Sequence, residues 1–257
     1  MKKLLALALL AVLMTLSPRV HAAPAKMIFW YPGEAGSTEE AQPVLNELFD
    51  FLKSKDPKFA FTGAYFNTIE GGRTYLANNK PALGIVSFAT WATRTSDFTG
   101  AKVVLATLPL PFGAATERYA LVGTEPLADN GRALYMSEPL ERTFIASKLF
   151  PSLPASLKLE TTRSLFKKLK DMAEGIVQGY ALLTPIEANT LASISAEWGQ
   201  KLKVRATSTP VPTARVVLFT PNYANVDALT AALIAMKNDP KGKEILESLR
   251  LVGFAQP

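Results

Sequence analysis

Short apolar runs and amphipathic stretches alternate along almost the whole chain. Residues 27–31, Met-Ile-Phe-Trp-Tyr, are apolar at every position, the mark of a strand buried on both faces. Pro32-Gly33-Glu34-Ala35-Gly36-Ser37-Thr38 then reads as a loop that opens a helix, because Thr38, Glu39 and Glu40 suit a first helical turn. Behind it Val44, Leu45, Leu48, Phe49 and Leu52 recur at helical spacing on one face. A strand is predicted over 59–66, a helix over 69–78, a strand over 82–86, and a loop at 87–93 entering a short helix. This order predicts a mainly parallel sheet flanked by helices, whose ligands collect at the carboxyl ends of the strands.

Strands over 102–108 and 118–123 surround Pro109, Pro111 and Gly113, and the alternation then restarts. Further strands are predicted over 132–136, 157–161, 179–183 and 203–206. Helices are predicted over 140–150, 164–174 and 185–198, the last with Pro185 at its favoured first position. Thr209-Pro210-Val211-Pro212 marks a linker before a strand at 215–220, and two helices carrying Leu229, Leu233, Ile245 and Leu246 close the chain. Two α/β halves are therefore joined twice, near 109–118 and near 209–214. The predicted organisation is a discontinuous first lobe, 23–113 plus 214–257, and a second lobe, 114–213. Such a clamshell has a cleft between its lobes and two hinge crossings.

Residues 1–22 follow another pattern. Lys2 and Lys3 precede an apolar run of about a dozen residues, and Val20-His21-Ala22 ends in small residues, the order of a cleaved signal peptide. The run is shorter than the roughly 20 residues that span a bilayer. With no Cys in the chain, no lipid anchor can form at a new N-terminus. The expected location is the periplasm, as a free protein without a membrane anchor in its mature form, and a monomer.

The single His of the chain, His21, lies in that segment, so the mature part has neither His nor Cys. The commonest general base, the soft metal ligands and the thiol nucleophile are missing together. Neither a G-x-S-x-G elbow nor a phosphate loop occurs. No catalytic residue, no metal and no cofactor is expected. The net charge of +6 includes Lys2, Lys3 and Arg19 of the export segment, and the remaining basic residues are scattered. Only Lys167, Lys168 and Lys170 cluster, on a helix face that solvent would cover, so no nucleic-acid partner is expected.

Candidate ligand contacts lie at the strand ends. Gly36, Ser37 and Thr38 belong to the Gly-bearing loop before a helix N-terminus, where backbone N–H groups can approach a ligand. Tyr31 and Phe88 are the aromatics that alternation favours for the cleft. Thr184, before Pro185, repeats the same logic in the second half, with a helix cap as its equal alternative.

The tail from Asp239-Pro240-Lys241-Gly242 through Ile245-Leu246, Leu249 and Gly253-Phe254 resembles the closing segment D-P-x-G-x-x-I-L-x-x-L-x-x-x-G-F of periplasmic binding proteins of the phosphate/phosphite/phosphonate ABC-transporter type. Residues 43–53, 76–91 and 208–212 resemble their first helix, their third strand with its Ser-aromatic end, and their return crossing. The resemblance implies the two-lobed type 2 periplasmic-binding-protein fold. It implies a small polar solute, anionic and phosphate- or phosphonate-like by family default, handed to an ABC permease. It also places Ser37, Thr38, Ser87, Phe88 and Thr90 in the first-lobe site. Ala82 and Gln178 stand where the family carries Asp. The family's Ser-Thr-Ser-Gly turn reads Met136-Ser137-Glu138-Pro139-Leu140 here, so only Ser137 keeps the oxyanion role. A carboxylate at Glu138 would repel an oxyanion within about 4 Å by several kcal/mol at intermediate dielectric. A sensor that signals to a membrane receptor through the same fold, and an exported α/β enzyme, remain as alternatives.

Overall fold

The computed structural model describes residues 23–220 and 223–257. The signal segment expected over 1–22 lies outside the described residues.

Strand β1 (Ala25–Trp30) is followed by α1 (Thr38–Lys55), β2 (Phe61–Phe66), α2 (Ile69–Asn79), β3 (Leu83–Val86), α3 (Phe88–Thr93) and β4 (Lys102–Pro109). The chain then makes β5 (Thr116–Glu117), β6 (Ala120–Gly123) and β7 (Ala133–Met136), and a short α4 (Arg142–Phe144) that continues as one π turn. There follow β8 (Lys158–Thr161), α5 (Leu165–Ala173), β9 (Gly179–Leu183), α6 (Pro185–Ala192), α7 (Glu197–Lys201) and β10 (Lys203–Thr207). The return comprises β11 (Val211–Pro212), β12 (Arg215–Leu218), α8 (Val226–Ala235), α9 (Pro240–Ser248) and β13 (Leu251–Ala255).

These strands form a six-stranded sheet, β13-β4-β12-β3-β1-β2, and a five-stranded sheet, β10-β6-β9-β7-β8. Each sheet has a parallel core: β1 pairs parallel with β2 and β3, and β7 with β8 and β9. Four of the six strands of the first sheet and four of the five of the second run the same way, and the rest run against them. β12 runs antiparallel to β3 and β4, and β6 antiparallel to β9. The reason is connectivity. A strand that follows a crossing enters its sheet from the hinge end, where the core strands finish, and must run the opposite way.

The all-apolar β1 divides its side chains by the strand period of two. Met27 and Phe29 join the cluster under α1, α8 and α9, while Ile28 and Trp30 join Val86, Phe98 and Val217 on the other face. The second sheet is covered on both faces in the same way, with Tyr180 and Leu182 on one side and Ala181 and Leu183 on the other. The short α3 crosses between lobes. It follows β3 of the first sheet, yet Ala89 is part of the core cluster of the second, and Phe88 and Ala92 pack against it.

Three expectations change. The predicted helix over 185–198 breaks after Ala192, where the hydroxyls of Thr190 and Ser193 donate to carbonyls of their own helix, at Ile186 and Thr190. The helix over 140–150 shrinks to a three-residue turn and a π turn. The final residues, read as tail, form β13 along the edge strand β4.

Both crossings are tied together. β5 and β11 pair antiparallel as a two-stranded ribbon. Beside it the fully buried Thr213 donates its Oγ1 hydroxyl to the Thr107 carbonyl at 2.6 Å. Among the described residues no helix is long and apolar enough to cross a membrane.

Candidate functional site

A cavity of about 920 Å³ opens between the two sheets, walled by the loop after β1, the hinge ribbon, the turn after β7 and the start of α6. The lobes touch at its rim. Gly33 has φ +88° and lies so close to the other wall that an added Cβ would sit 2.4 Å from Glu138 Cα and 2.6 Å from the Ser137 carbonyl oxygen. Ser87 donates its hydroxyl to Glu138 Oε1 at 3.3 Å across the same gap. The molecule is therefore in a closed conformation.

Of the residues singled out from the sequence, Tyr31, Gly36, Ser37, Ser87, Ser137 and Thr184 line the cavity, whereas Thr38, Phe88 and Thr90 do not. The Thr38 hydroxyl turns away and donates to the Tyr65 carbonyl at 2.6 Å. Phe88 packs its ring 6.1 Å from that of Phe144, in the apolar seam between α3 and the second lobe. Thr90 is buried, and both its N–H and its Oγ1 are hydrogen-bonded to Ser87 Oγ.

The lining hydroxyls are largely engaged as well. Ser37 caps α1 in a capping box, accepting from Glu40 N while its own N–H donates to Glu40 Oε2 at 2.9 Å. Thr184 does the same for α6, its N–H donating to Glu187 Oε2 at 2.8 Å. Ser137 donates to Glu187 Oε1 at 2.5 Å. In the loop after β1, Gly33 and Glu34 donate their N–H groups to the carbonyls of Asn67 and Tyr31. The loop thus has the Gly turns of an anion cradle, but several of its donors face inward.

What the cavity offers instead is carboxylate. Glu34, Glu117 and Glu138 line it. Glu138 is only 7 % exposed, and its Oε2 accepts from the Tyr119 hydroxyl at 2.7 Å. Burial pushes its carboxyl up to about 7; the Tyr119 and Ser87 hydrogen bonds oppose the rise and the charges of Glu34 and Glu187 add to it. Glu117 keeps part of its surface on the cavity, yet its head group lies deep in protein. Burial, then repulsion from Glu138 and Glu34, pushes it up to about 8, against the pull of Arg215. Glu34 is raised by burial and then by the charge of Glu187, with Arg250 opposing. The hydroxyls of Tyr31 and Tyr119 are held far above the usual phenol range by burial and the nearby carboxylates. Among the described residues no group of three or more His, Cys, Asp or Glu side chains is placed to hold a metal ion.

Glu117, Tyr119 and Arg250 did not emerge from the sequence. The first two lie in the crossing, where the only signal was a polar residue beside apolar ones. Arg250 lies between α9 and β13 with φ +56°, in a tail whose strand was not anticipated.

No family model matches the chain, and no curated protein matches it. Solved structures do. A protein of Xanthomonas citri bound to ATP is 12% identical, with a TM-score of 0.69 over 91% of each chain. A binding protein component of an ABC phosphonate transporter from Pseudomonas aeruginosa is 11% identical, with a TM-score of 0.63 over 91% of this chain and 82% of that one. A periplasmic binding protein of Salmonella typhimurium with high arginine specificity is 10% identical, with a TM-score of 0.53 over 88% and 99%. The chain has the two-lobed type 2 fold of periplasmic binding proteins.

Proposed function

We propose that the chain is a periplasmic solute-binding protein that closes its two lobes on a small solute and presents it to an ABC permease. The observation that carries this reading is the cavity between the lobes, with Gly33 set against Ser137 and Glu138 as a closed rim. The transport role is supported by the fold shared with the Pseudomonas aeruginosa transporter component. The lobes of the proposal are 23–113 plus 214–257 and 114–213, turning about the ribbon of β5 and β11. The export pattern of residues 1–22 supports a periplasmic location. Binding without turnover is supported by the chemistry of the cavity, whose carboxylates have no His or Cys to work with.

The test is small-angle scattering and native mass spectrometry on gently purified mature protein. A retained small molecule, and a radius of gyration that grows when that molecule is dialysed away, are the expected results. Turnover of the retained molecule would replace this reading with an enzymatic one.

A further inference from the structure

We infer that the cleft selects an organic cation, a protonated amine or guanidinium carried on an apolar body, over an anion; this rests on the solute-binding reading above. Three independent features of the cavity point that way.

The first is that the N-termini of α1 and α6, which face the cleft, are already occupied. A helix N-terminus attracts anions because its N–H groups lack partners. Here Glu40 takes that place on α1 and Glu187 on α6, each accepting from the capping residue's own N–H. An incoming anion would have to displace a covalently tethered carboxylate and then meet its charge.

The second is the excess of unpaired acid. Among the described residues, no hydrogen bond or ion pair reaches the carboxylates of Glu34 or Glu117, which line the cavity; Arg250 and Arg215 act on them only from beyond ion-pair distance. Glu138 is held by two hydroxyls but by no cation. No lysine lines the cavity, and the lining guanidiniums, Arg118 and Arg250, are exposed, with Arg118 Nη1 donating to the Ser208 carbonyl. A buried carboxylate without a counter-charge in contact is unfavourable unless it is protonated or paired. A ligand cation supplies the pair.

The third is the wall. Phe29, Leu45, Ile85 and Phe112 give an apolar lining, and Phe112 is 75 % exposed at the mouth. Tyr31 and Tyr65 also line the cavity, and an aromatic ring is a favourable neighbour for a cation.

The inference fixes the sign of a pH effect. Glu138 and Glu117 hold protons up to about 7 and about 8 when unpaired. The groups facing them are Glu34, Glu187, Tyr31, Tyr119 and Arg215. Arg118, Arg250 and Tyr65 complete the charged and titratable lining, with Glu40 at the α1 cap. A cation drives those protons out, so its binding tightens from pH 6 to pH 8. An anion held by protonated carboxyls weakens over the same interval.

Calorimetry with three probes that share one ring and differ in the head group provides the test: tryptamine, indole-3-propionate and tryptophol. Tryptamine should bind at least about tenfold more tightly than the other two, with proton release at pH 7, and Glu117→Gln and Glu138→Gln should each weaken it by about tenfold or more. Circular dichroism establishes that both variants are folded. Preference for the carboxylate or the alcohol, no binding by any of the three, or tryptamine affinity unmoved by either substitution would overturn the inference. The clamshell reading is judged separately, by whether the molecule found by native mass spectrometry closes the lobes. A retained anion that does so would sink the cation assignment and leave solute binding standing.

Discussion

Gly33 and Glu138 meet backbone to backbone across the cleft: a methyl group on Gly33 would lie 2.4 Å from Glu138 Cα and 2.6 Å from its nitrogen. This contact belongs to closure, because the two residues stand on opposite walls of the cavity.

Gly33→Ala should therefore act mainly on closure. The φ of +88° costs about 1–2 kcal/mol for an L side chain, which the fold can absorb. The clash with Glu138 arises only when the lobes meet. The expected result is a folded protein whose radius of gyration stays at its open value with solute present, and whose affinity falls about tenfold or more. A variant that closes like the parent in small-angle scattering would contradict this.

The raised carboxyls predict an unusual pH profile. An unfolded glutamate loses its proton near 4.5, whereas Glu138 and Glu117 keep theirs to about 7 and about 8. Between these values the native state binds more protons than the unfolded one, so the stability of the solute-free protein falls as pH rises. One such group contributes up to about 1.4 kcal/mol per pH unit. Glu138→Gln keeps an acceptor for Tyr119 and removes the titration. Melting temperatures measured from pH 5 to pH 8 should decline less steeply in the variant, and an identical slope would count against the assignment.

Gly72 shows where the first lobe has no spare volume. A Cβ there would lie 2.1 Å from Trp30 Cε2, and Trp30 is fully buried with its Nε1 donating to the Thr68 carbonyl. Gly72→Ala should lower stability by about 1–3 kcal/mol through overpacking. Gly100→Ala, with nothing within 4 Å and only a positive φ to oppose it, should cost about 1–2 kcal/mol. Urea denaturation of the pair compares the two mechanisms directly.

Thr213 joins the two crossings through its hydroxyl, bonded to Thr107 and 3.3 Å from the Ala115 carbonyl. Thr213→Val keeps the shape and leaves the Thr107 carbonyl without that donor in a buried place, at an expected cost of about 1–3 kcal/mol. Hydrogen exchange should show the loss as faster opening of the ribbon residues, including the Thr213 amide bonded to Ala115.

The parts that were legible in the sequence share one property: they follow from a local rule. The five apolar residues at 27–31 announce a strand buried on both faces, and Pro185 announces the start of α6. The double crossing follows from counting alternations. Residues such as Thr38 and Phe88 show where local rules stop. Both stand at helix starts near the cleft, as read, but the direction of a side chain is set by partners distant in sequence, Tyr65 in one case and Phe144 in the other. Glu117 was hidden for the same reason, since the charges that act on it, Glu138 and Glu34, are brought near it only by the fold.

The two capping boxes at the cleft amount to plugs in sockets that the scaffold otherwise leaves open. Glu40 and Glu187 stand within the first turn of α1 and α6, tethered to the sites they fill. Replacing each by alanine would unplug two donor clusters without altering the path of the backbone. Redirecting the pocket from one sign of charge to the other is thus a matter of few substitutions.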